Sequence, residues 1–360
     1  MIICVHDDRA TAVVGVQLAV ASIARHAPGT RVVASLKAAD DATRAWFAAR
    51  PDVELIVDED FGGTGWDVKP ALLLRRLETE DEVVWWDSDI VANGDFRELF
   101  RDVGREVLVS TEDVFWGQEQ RGDYRARAWG FPVGRVLPAT VNTGVLRVTR
   151  AHRPLLEAWQ QCMLDPAYRE AQRTNIKTRP LHLLGDQEVL TALLCSEQFA
   201  SVPVQLLRRG VEVAQCFGPS GFRAGERVRS LVRWGGAPPI VHSTNPKPWV
   251  ALDPSADRRV PRRASRVAWR TWYKSLHAEL STYTVLARGY TSELQHDQPW
   301  LRSSTPVGRV LAQLPGDKSV VPELPLAALD GLVRLVRREL AIGRYRLDDV
   351  ATAPVAAPPA

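Results

Sequence analysis

The alternation of short apolar runs with segments of helical period constrains this chain's fold more than any other feature. Ile2 to Val5 reads as a strand that stops at His6-Asp7-Asp8. Val13 to His26 carries Val16, Val20 and Ile23 at helical spacing and ends before Pro28-Gly29. Arg31 to Ser35 returns as a strand, Ala42 to Arg50 is a helix capped by Asp40 or Asp41, and Val53 to Val57 is a third strand. Strand–helix repeats of this kind imply an α/β fold, a parallel sheet with helices on its faces. Ligands of such sheets sit outside the carboxyl ends of the strands. Asp7 falls at one of those ends.

A second strand end is more informative. Lys69-Pro70 opens a helix, Ala71 to Leu77, and then Val83-Val84-Trp85-Trp86 runs straight into Asp87-Ser88-Asp89. Two acids at a strand exit, with the small Ser88 between them, can turn toward one hard divalent ion such as Mg²⁺ or Mn²⁺. A solvated Asp-rich turn explains the same residues equally well. Val107 to Ser110 is a further strand. Thr111 to Thr140 reads as irregular, with Trp116, Tyr124, Trp129 and Phe131, and fits either a functional lid or a peripheral subdomain. Beyond it lie a strand at Val145 to Val148, a helix over 151–172, a helix from Asp186 to Phe199 and a last strand at Ile240-Val241.

Composition narrows the class. With 360 residues, 45% hydrophobic and 25% charged, the chain has an ordinary globular make-up with room for one large domain and an appendage. Cys4, Cys162, Cys195 and Cys216 have no metal-ligand or disulfide-framework spacing. Neither a signal peptide nor a bilayer-spanning run is legible, so the expected address is the cytoplasm. Charge is uneven: Arg258 to Asp349 holds 16 Lys/Arg against 9 Asp/Glu, whereas the residues before it hold 30 against 34. An acidic body without a recognition motif argues against nucleic acid as a partner. The expected division is a body over 1–255, a basic helical extension over 256–349 and a disordered Ala/Pro tail over 350–360.

Several polar signatures then fall in a fixed order. Lys69 precedes Asp87-Ser88-Asp89; Asn142-Thr143-Gly144 leads into a strand; Gly185-Asp186-Gln187 opens a helix; and His242-Ser243-Thr244-Asn245-Pro246-Lys247-Pro248-Trp249 follows a strand. Together these resemble the motifs of the retaining glycosyltransferases of family 8, the family of glycogenin and the bacterial lipopolysaccharide galactosyltransferases. The resemblance covers about residues 1 to 250. It implies a Rossmann-like nucleotide-diphospho-sugar transferase (GT-A) fold with a helical C-terminal extension. It also implies metal-dependent transfer of a sugar, with retention, from a nucleoside-diphosphate sugar, usually a UDP-sugar. The acceptor hydroxyl would belong to a glycan, a lipid-linked acceptor or a small molecule, in cell-surface glycan or glycolipid synthesis.

The resemblance assigns roles residue by residue. Asp87, Asp89 and His242 match the ligands of Mn²⁺ or Mg²⁺. Lys69 and Lys247 match residues that reach donor phosphate or sugar, and Ser88 lies between the metal ligands on the donor side. Asn142 and Gly144 match the donor-sugar motif, with Thr143 in place of Ser. Asp186 matches a residue on the sugar hydroxyls, and Gln187 one near the anomeric carbon on the face away from the leaving group. Val5 and Asp7 match the edge that holds the base and ribose. The last motif departs from the family's His-x-x-Gly-x-x-Lys-Pro-Trp: Asn245 stands at the Gly position and one residue is missing before Lys247. Each residue also has an ordinary structural explanation: a helix N-cap for Asp186, a surface helix start for Lys69, a loop histidine for His242, a turn for Asn142-Thr143-Gly144.

Gln187 is a poor nucleophile, which favours same-face substitution over double displacement. A binding protein that kept the fold without turnover is one alternative. A sugar nucleotidyltransferase is another, but it would want a glycine-rich basic loop where His6-Asp7-Asp8-Arg9 stands. In the extension, Arg258 to Lys274 holds seven basic residues and no acid. As a helix it would align Arg259, Arg263, Arg266 and Arg270, with Trp269, Trp272 and Tyr273 largely elsewhere. Such a helix can rest on the inner face of an anionic membrane, or pack on the body with its arginines in water. Leu324 to Leu340 is a second amphipathic stretch that could pack against it.

Overall fold

Seven strands form the central sheet, and the first half of the chain builds six of them, beginning with the expected alternation. A computed structural model describes residues 1–113, 122–218, 221–244, 247–252, 266–302 and 304–339. In chain order, β1 (Ile2–Asp7), α1 (Val13–His26), β2 (Arg31–Leu36), α2 (Asp41–Ala48), β3 (Val53–Val57), α3 (Lys69–Arg76) and β4 (Glu82–Trp86) lead to a short β5 (Ile90–Ala92). Then come β6 (Leu108–Glu112), α4 (Gly122–Ala128), β7 (Val141–Thr149), α5 (Arg153–Leu164), α6 (Pro166–Arg173) and α7 (Asp186–Cys195). The body closes with β8 (Val204–Leu207), β9 (Val213–Gln215), α8 (Ala224–Trp234), β10 (Ile240–His242) and α9 (Pro248–Ala251). Helices α10 (Arg266–Leu280), α11 (Thr282–Ala287), α12 (Pro299–Arg302), α13 (Pro306–Leu311) and α14 (Leu324–Glu339) follow.

The sheet order is β3-β2-β1-β4-β7-β6-β8, and β5-β10-β9 make a second, three-stranded sheet. β1 lies parallel to β2 and β4, whereas β7 runs antiparallel to β4 and β6. The fold is therefore α/β with a mixed sheet. Both faces are covered, so the strands are apolar throughout. Ile2, Cys4, Val83 and Trp85 face a layer holding α3, α5 and α7, while Ile3, Val5, Val84 and Trp86 face α1 and α2.

Several elements differ from the sequence expectation, each for a local reason. β7 begins at Val141, so Asn142-Thr143-Gly144 lies inside a strand rather than in a turn before it. Its pairing with β6 slips between Val109 and Thr111, and the Ser110 and Thr111 hydroxyls donate to the Asn142 carbonyl there. The helix expected over 151–172 breaks at Asp165-Pro166. Proline lacks the donor needed to continue, and Asp165 accepts from Ala167 N at 2.7 Å to start a new helix. The region expected to be irregular contains α4, with Ala126, Trp129 and Leu137 in the main core. Trp116 lies outside the described residues. In the second sheet β10 falls where the Ile240-Val241 strand was expected, whereas β5 and β9 carry too short a pattern to be read.

The C-terminal helices share a core with the body. Ala278, Tyr283, Ala287, Tyr290, Trp300 and Leu301 pack with Val14, Leu18 and Ala21 of α1 and with Val91, Ala214 and Val241 of the small sheet. α10 and α14 do pair: Tyr273 Oη donates to Asp330, and His277 lies 2.9 Å from Glu323 and 3.1 Å from Asp330. Trp272, Leu276 and Leu280 turn inward, and Trp269 is exposed. Arg258, Arg259 and Arg263, Leu340 and the 350–360 tail lie outside the described residues. Among the described helices none is long and apolar enough to cross a membrane.

Candidate active site

The carboxyl ends of β1 and β4 lie side by side, and the polar residues singled out above gather there. β1 runs two residues further than its apolar stretch, so Asp7 ends the strand. It is clamped by Arg9, whose Nε and Nη2 donate to its two oxygens at 2.9 and 2.7 Å. Ser88 Oγ donates to Asp7 Oδ2 at 2.5 Å, which ties the first strand exit to the second. Burial alone would raise the Asp7 pKa, but the Arg9 and Ser88 hydrogen bonds outweigh it and hold the carboxyl below its usual range. Val5 is buried in the strand, paired with Ala34, and can present only backbone.

Asp87-Ser88-Asp89 is the tight link from β4 to β5. Asp87 N donates to Gly144 O at 2.8 Å, and Ser243 N donates to Asp89 O at 2.8 Å. These bonds fix the link between β7 and the chain after β10. His242, the last residue of β10, brings its Nε2 to 3.3 Å from Asp89 Oδ1 and 3.8 Å from Asp87 Oδ2. One ligand atom from each of Asp87, Asp89 and His242 lies within 4.8 Å of the others. Burial lowers the His242 pKa to about 4, so at neutral pH the imidazole is uncharged and offers a lone pair. Two carboxylates and a neutral imidazole are a fitting donor set for Mn²⁺ or Mg²⁺.

Gly144 is needed for this approach. A Cβ there would lie 2.5 Å from His242 Cε1 and 2.8 Å from its Nδ1. The glycine of the Asn-Thr-Gly motif thus serves His242 as well as the strand.

On the other side of Asp87 stands Lys69, at the start of α3 and 3% exposed, so it is no surface lysine. Its Nζ lies 3.1 Å from Asp87 Oδ1 and 3.1 Å from Asp186 Oδ2, and donates to Thr143 Oγ1 at 2.9 Å. Burial acts to lower the Lys69 pKa; Asp186 and Asp87 outweigh it and keep the ammonium above its ordinary range. Asp87, which also accepts from Trp85 Nε1 at 2.6 Å, is held below the carboxylate range because Lys69 and His242 outweigh its burial.

Asp186 is the first residue of α7, not its cap. Gly185 takes the cap position, which frees the Asp186 carboxylate to face Lys69 and Thr143. Gln187 Oε1 accepts from Asn142 Nδ2 at 3.1 Å, and its Nε2 donates to Glu188 Oε1 at 3.3 Å. Glu188 and Arg125 form a buried ion pair behind it. Desolvation raises Glu188 to about 7.

The structure thus joins Asp7, Lys69, Asp87, Ser88, Asp89, Asn142, Gly144, Asp186, Gln187 and His242 through direct contacts. Lys247 joins them too, but on Asp89. Sequence reasoning missed Arg9, Thr143 as the bridge between Lys69 and Asp186, and the Arg125–Glu188 pair. Arg9 was legible as the basic residue after Asp7-Asp8. Arg125 was not, because its partner is 63 residues away.

No family model matches the chain, and no curated protein matches it. Among solved structures it is similar to the bifunctional glycosyltransferase WbbM at 15% identity, with a TM-score of 0.43 over 69% of this chain and 46% of that one. It is similar to the glycosyltransferase GlyE of Streptococcus pneumoniae TIGR4 at 18% identity, with a TM-score of 0.43, covering 81% and 63% of the two chains. It is also similar to the galactosyltransferase LgtC, solved with donor and acceptor sugar analogs, at 16% identity, with a TM-score of 0.44, covering 82% and 100%. The chain spans less than two thirds of the length of WbbM and GlyE.

Proposed function

We propose that the protein is a metal-dependent glycosyltransferase that moves a sugar from a nucleoside-diphosphate sugar, a UDP-sugar as the resemblance implies, to an acceptor hydroxyl with retention. The observation that carries this reading is one continuous polar shelf. The donor set of Asp87, Asp89 and His242 meets Lys69, Asp186, Asn142 and Gln187 along the carboxyl ends of the strands. A divalent ion held by Asp87, Asp89 and His242 would supply positive charge for a leaving diphosphate. Lys69 lies between the Asp87 and Asp186 carboxylates and orients both, a preorganised arrangement of charge of the kind that acts strongly where water is excluded. Asp186 and Asn142 present acceptor and donor groups suited to sugar hydroxyls. Asp7, locked by Arg9 and Ser88, has its carboxylate at the adjoining strand end, as a base- or ribose-binding residue requires.

The retaining course draws support from Gln187. An amide is a weak nucleophile, Glu188 is committed to Arg125, and Asp186 is committed to Lys69. Same-face substitution, with the leaving phosphate accepting the acceptor's proton, needs no further carboxylate. Residues 1–255 would hold the catalytic groups, and the helical extension would complete the core beneath them.

The experiment is donor turnover. Purified protein with Mn²⁺ and a panel of nucleotide sugars should release free nucleoside diphosphate from one donor. An Asp87→Ala/Asp89→Ala double variant should lose that release by at least about 10²-fold, the scale of removing a preorganised charge from a transition state. Equal release by the double variant, or no metal-dependent donor binding by calorimetry, would overturn the reading.

A further inference from the structure

The contact that Lys247 makes is not the one its motif implies. The stretch from His242 to Lys247 is one residue short of the motif, and the Lys247 ammonium lies on Asp89 Oδ2. It also donates to the Ser243 carbonyl at 3.3 Å. Asp89 is 2% exposed, and apart from the Lys247 ammonium its Oδ2 has no polar partner among the described residues. A buried carboxylate oxygen in that state needs a cation. Lys69 serves Asp87 and Asp186, so the Lys247 ammonium is the charge that balances Asp89.

This places Lys247 in competition with any divalent ion. Asp89 is one of three ligands in the donor set, and Lys247 covers one of its two oxygens. An ammonium and a doubly charged ion on one carboxylate repel strongly in a buried site. The lysine has the means to leave. Its side chain is a quarter exposed, and it is a point charge on a flexible stem. Two residues on, Trp249 is anchored against Tyr283 and Trp300 and lies so close to Gly15 that a Cβ there would fall 2.9 Å from its ring.

We propose that Lys247 is a resident counter-cation for Asp89 that yields to the divalent ion and is thereby released toward the donor diphosphate, coupling metal binding to nucleotide binding. The inference rests on the metal-dependent transferase reading. Reciprocity follows: whatever factor the nucleotide adds to metal affinity, the metal adds to nucleotide affinity.

The test is calorimetric titration of Mn²⁺ into the full chain at fixed pH and low salt, with and without UDP, for wild type, Lys247→Met and Asp89→Asn. Lys247→Met should bind Mn²⁺ alone roughly 5- to 20-fold more tightly, the lower part of the range for site coupling, and lose most of the UDP-dependent gain of the wild type. Asp89→Asn should bind weakly in every condition. Mn²⁺ affinity in Lys247→Met equal to or weaker than wild type overturns the proposal and leaves the metal reading intact. Failure of all three proteins to bind Mn²⁺ overturns both. Acetylation of Lys247 in the unaltered protein, mapped by mass spectrometry, is a second measurement that needs no variant. Labelling should rise on adding Mn²⁺ and fall again with UDP, and labelling indifferent to Mn²⁺ counts against the displacement.

Discussion

At the scale of single residues, the site is built from groups whose ordinary cost is cancelled by a neighbour. Lys69 sits in the core because Asp87 and Asp186 flank its ammonium. Replacing it with methionine keeps much of the volume and strands two carboxylates. Lys69→Met is therefore expected to cost about 3–5 kcal/mol, the usual result of breaking a buried pair from one side, measured by urea unfolding. Gly144 tests geometry rather than charge. In Gly144→Ala the new methyl meets the His242 ring and Asn142 Oδ1, so the ring must shift. The expected outcome is a loss of about 1–3 kcal/mol from overpacking, with a disproportionate fall in Mn²⁺ affinity, read by calorimetry on the folded variant. Wild-type metal affinity in that variant would remove His242 from the ligand set.

Among the elements, the contact of α8, α10 and α14 is the one most open to pH. Arg227 of α8, buried, pairs with Glu323, and His277 of α10 lies between Glu323 and Asp330. Burial would lower the His277 pKa, but its bonds to Asp330 and Glu323 outweigh that and raise it to about 9. A raised histidine stabilises the fold fully below its unfolded value near 6.5, and the contribution is lost as pH rises through about 9. Thermal melts should thus fall between pH 6.5 and 9.5. A His277→Gln variant should be less stable than wild type at pH 6.5 and lose that difference at pH 9.5. A wild-type melt that is flat across this range would contradict the assignment.

For the molecule as a whole, the extension completes the core instead of decorating it. Val14, Leu18, Ala21, Val91, Ala214 and Val241 of the body are covered by Tyr283, Tyr290, Trp300 and their neighbours. Each buried apolar side chain of this size contributes about 1.5–3 kcal/mol relative to exposure. A chain ending at residue 252 is therefore expected to aggregate or bind an apolar dye, as judged by size-exclusion chromatography and dye fluorescence, whereas the full chain stays dispersed. A well-folded, monomeric truncation would show that the body is independent of these helices.

How much of this could be read in advance follows from the range of the forces involved. Local pattern determined α1, β2, α2, β3 and β4, because apolar periodicity and caps such as Asp40 act within one element. It also drew attention to Asp87 and Asp89 as two acids at a strand exit, whereas Asp186 and His242 stood out only through the resemblance of the ordered motifs. The sequence alone could not show that Asn142-Thr143-Gly144 lies inside a strand, because the Ser110 and Thr111 hydroxyls that accommodate it come from a neighbouring strand. It could not show Arg125 behind Gln187, nor β5 and β9, the two short strands that pair with β10 in the second sheet. Nor could it place Lys247 on Asp89. Those features depend on contacts between residues far apart in the chain. Their energy appears only when the sheet has closed and removed the water that would otherwise screen each charge.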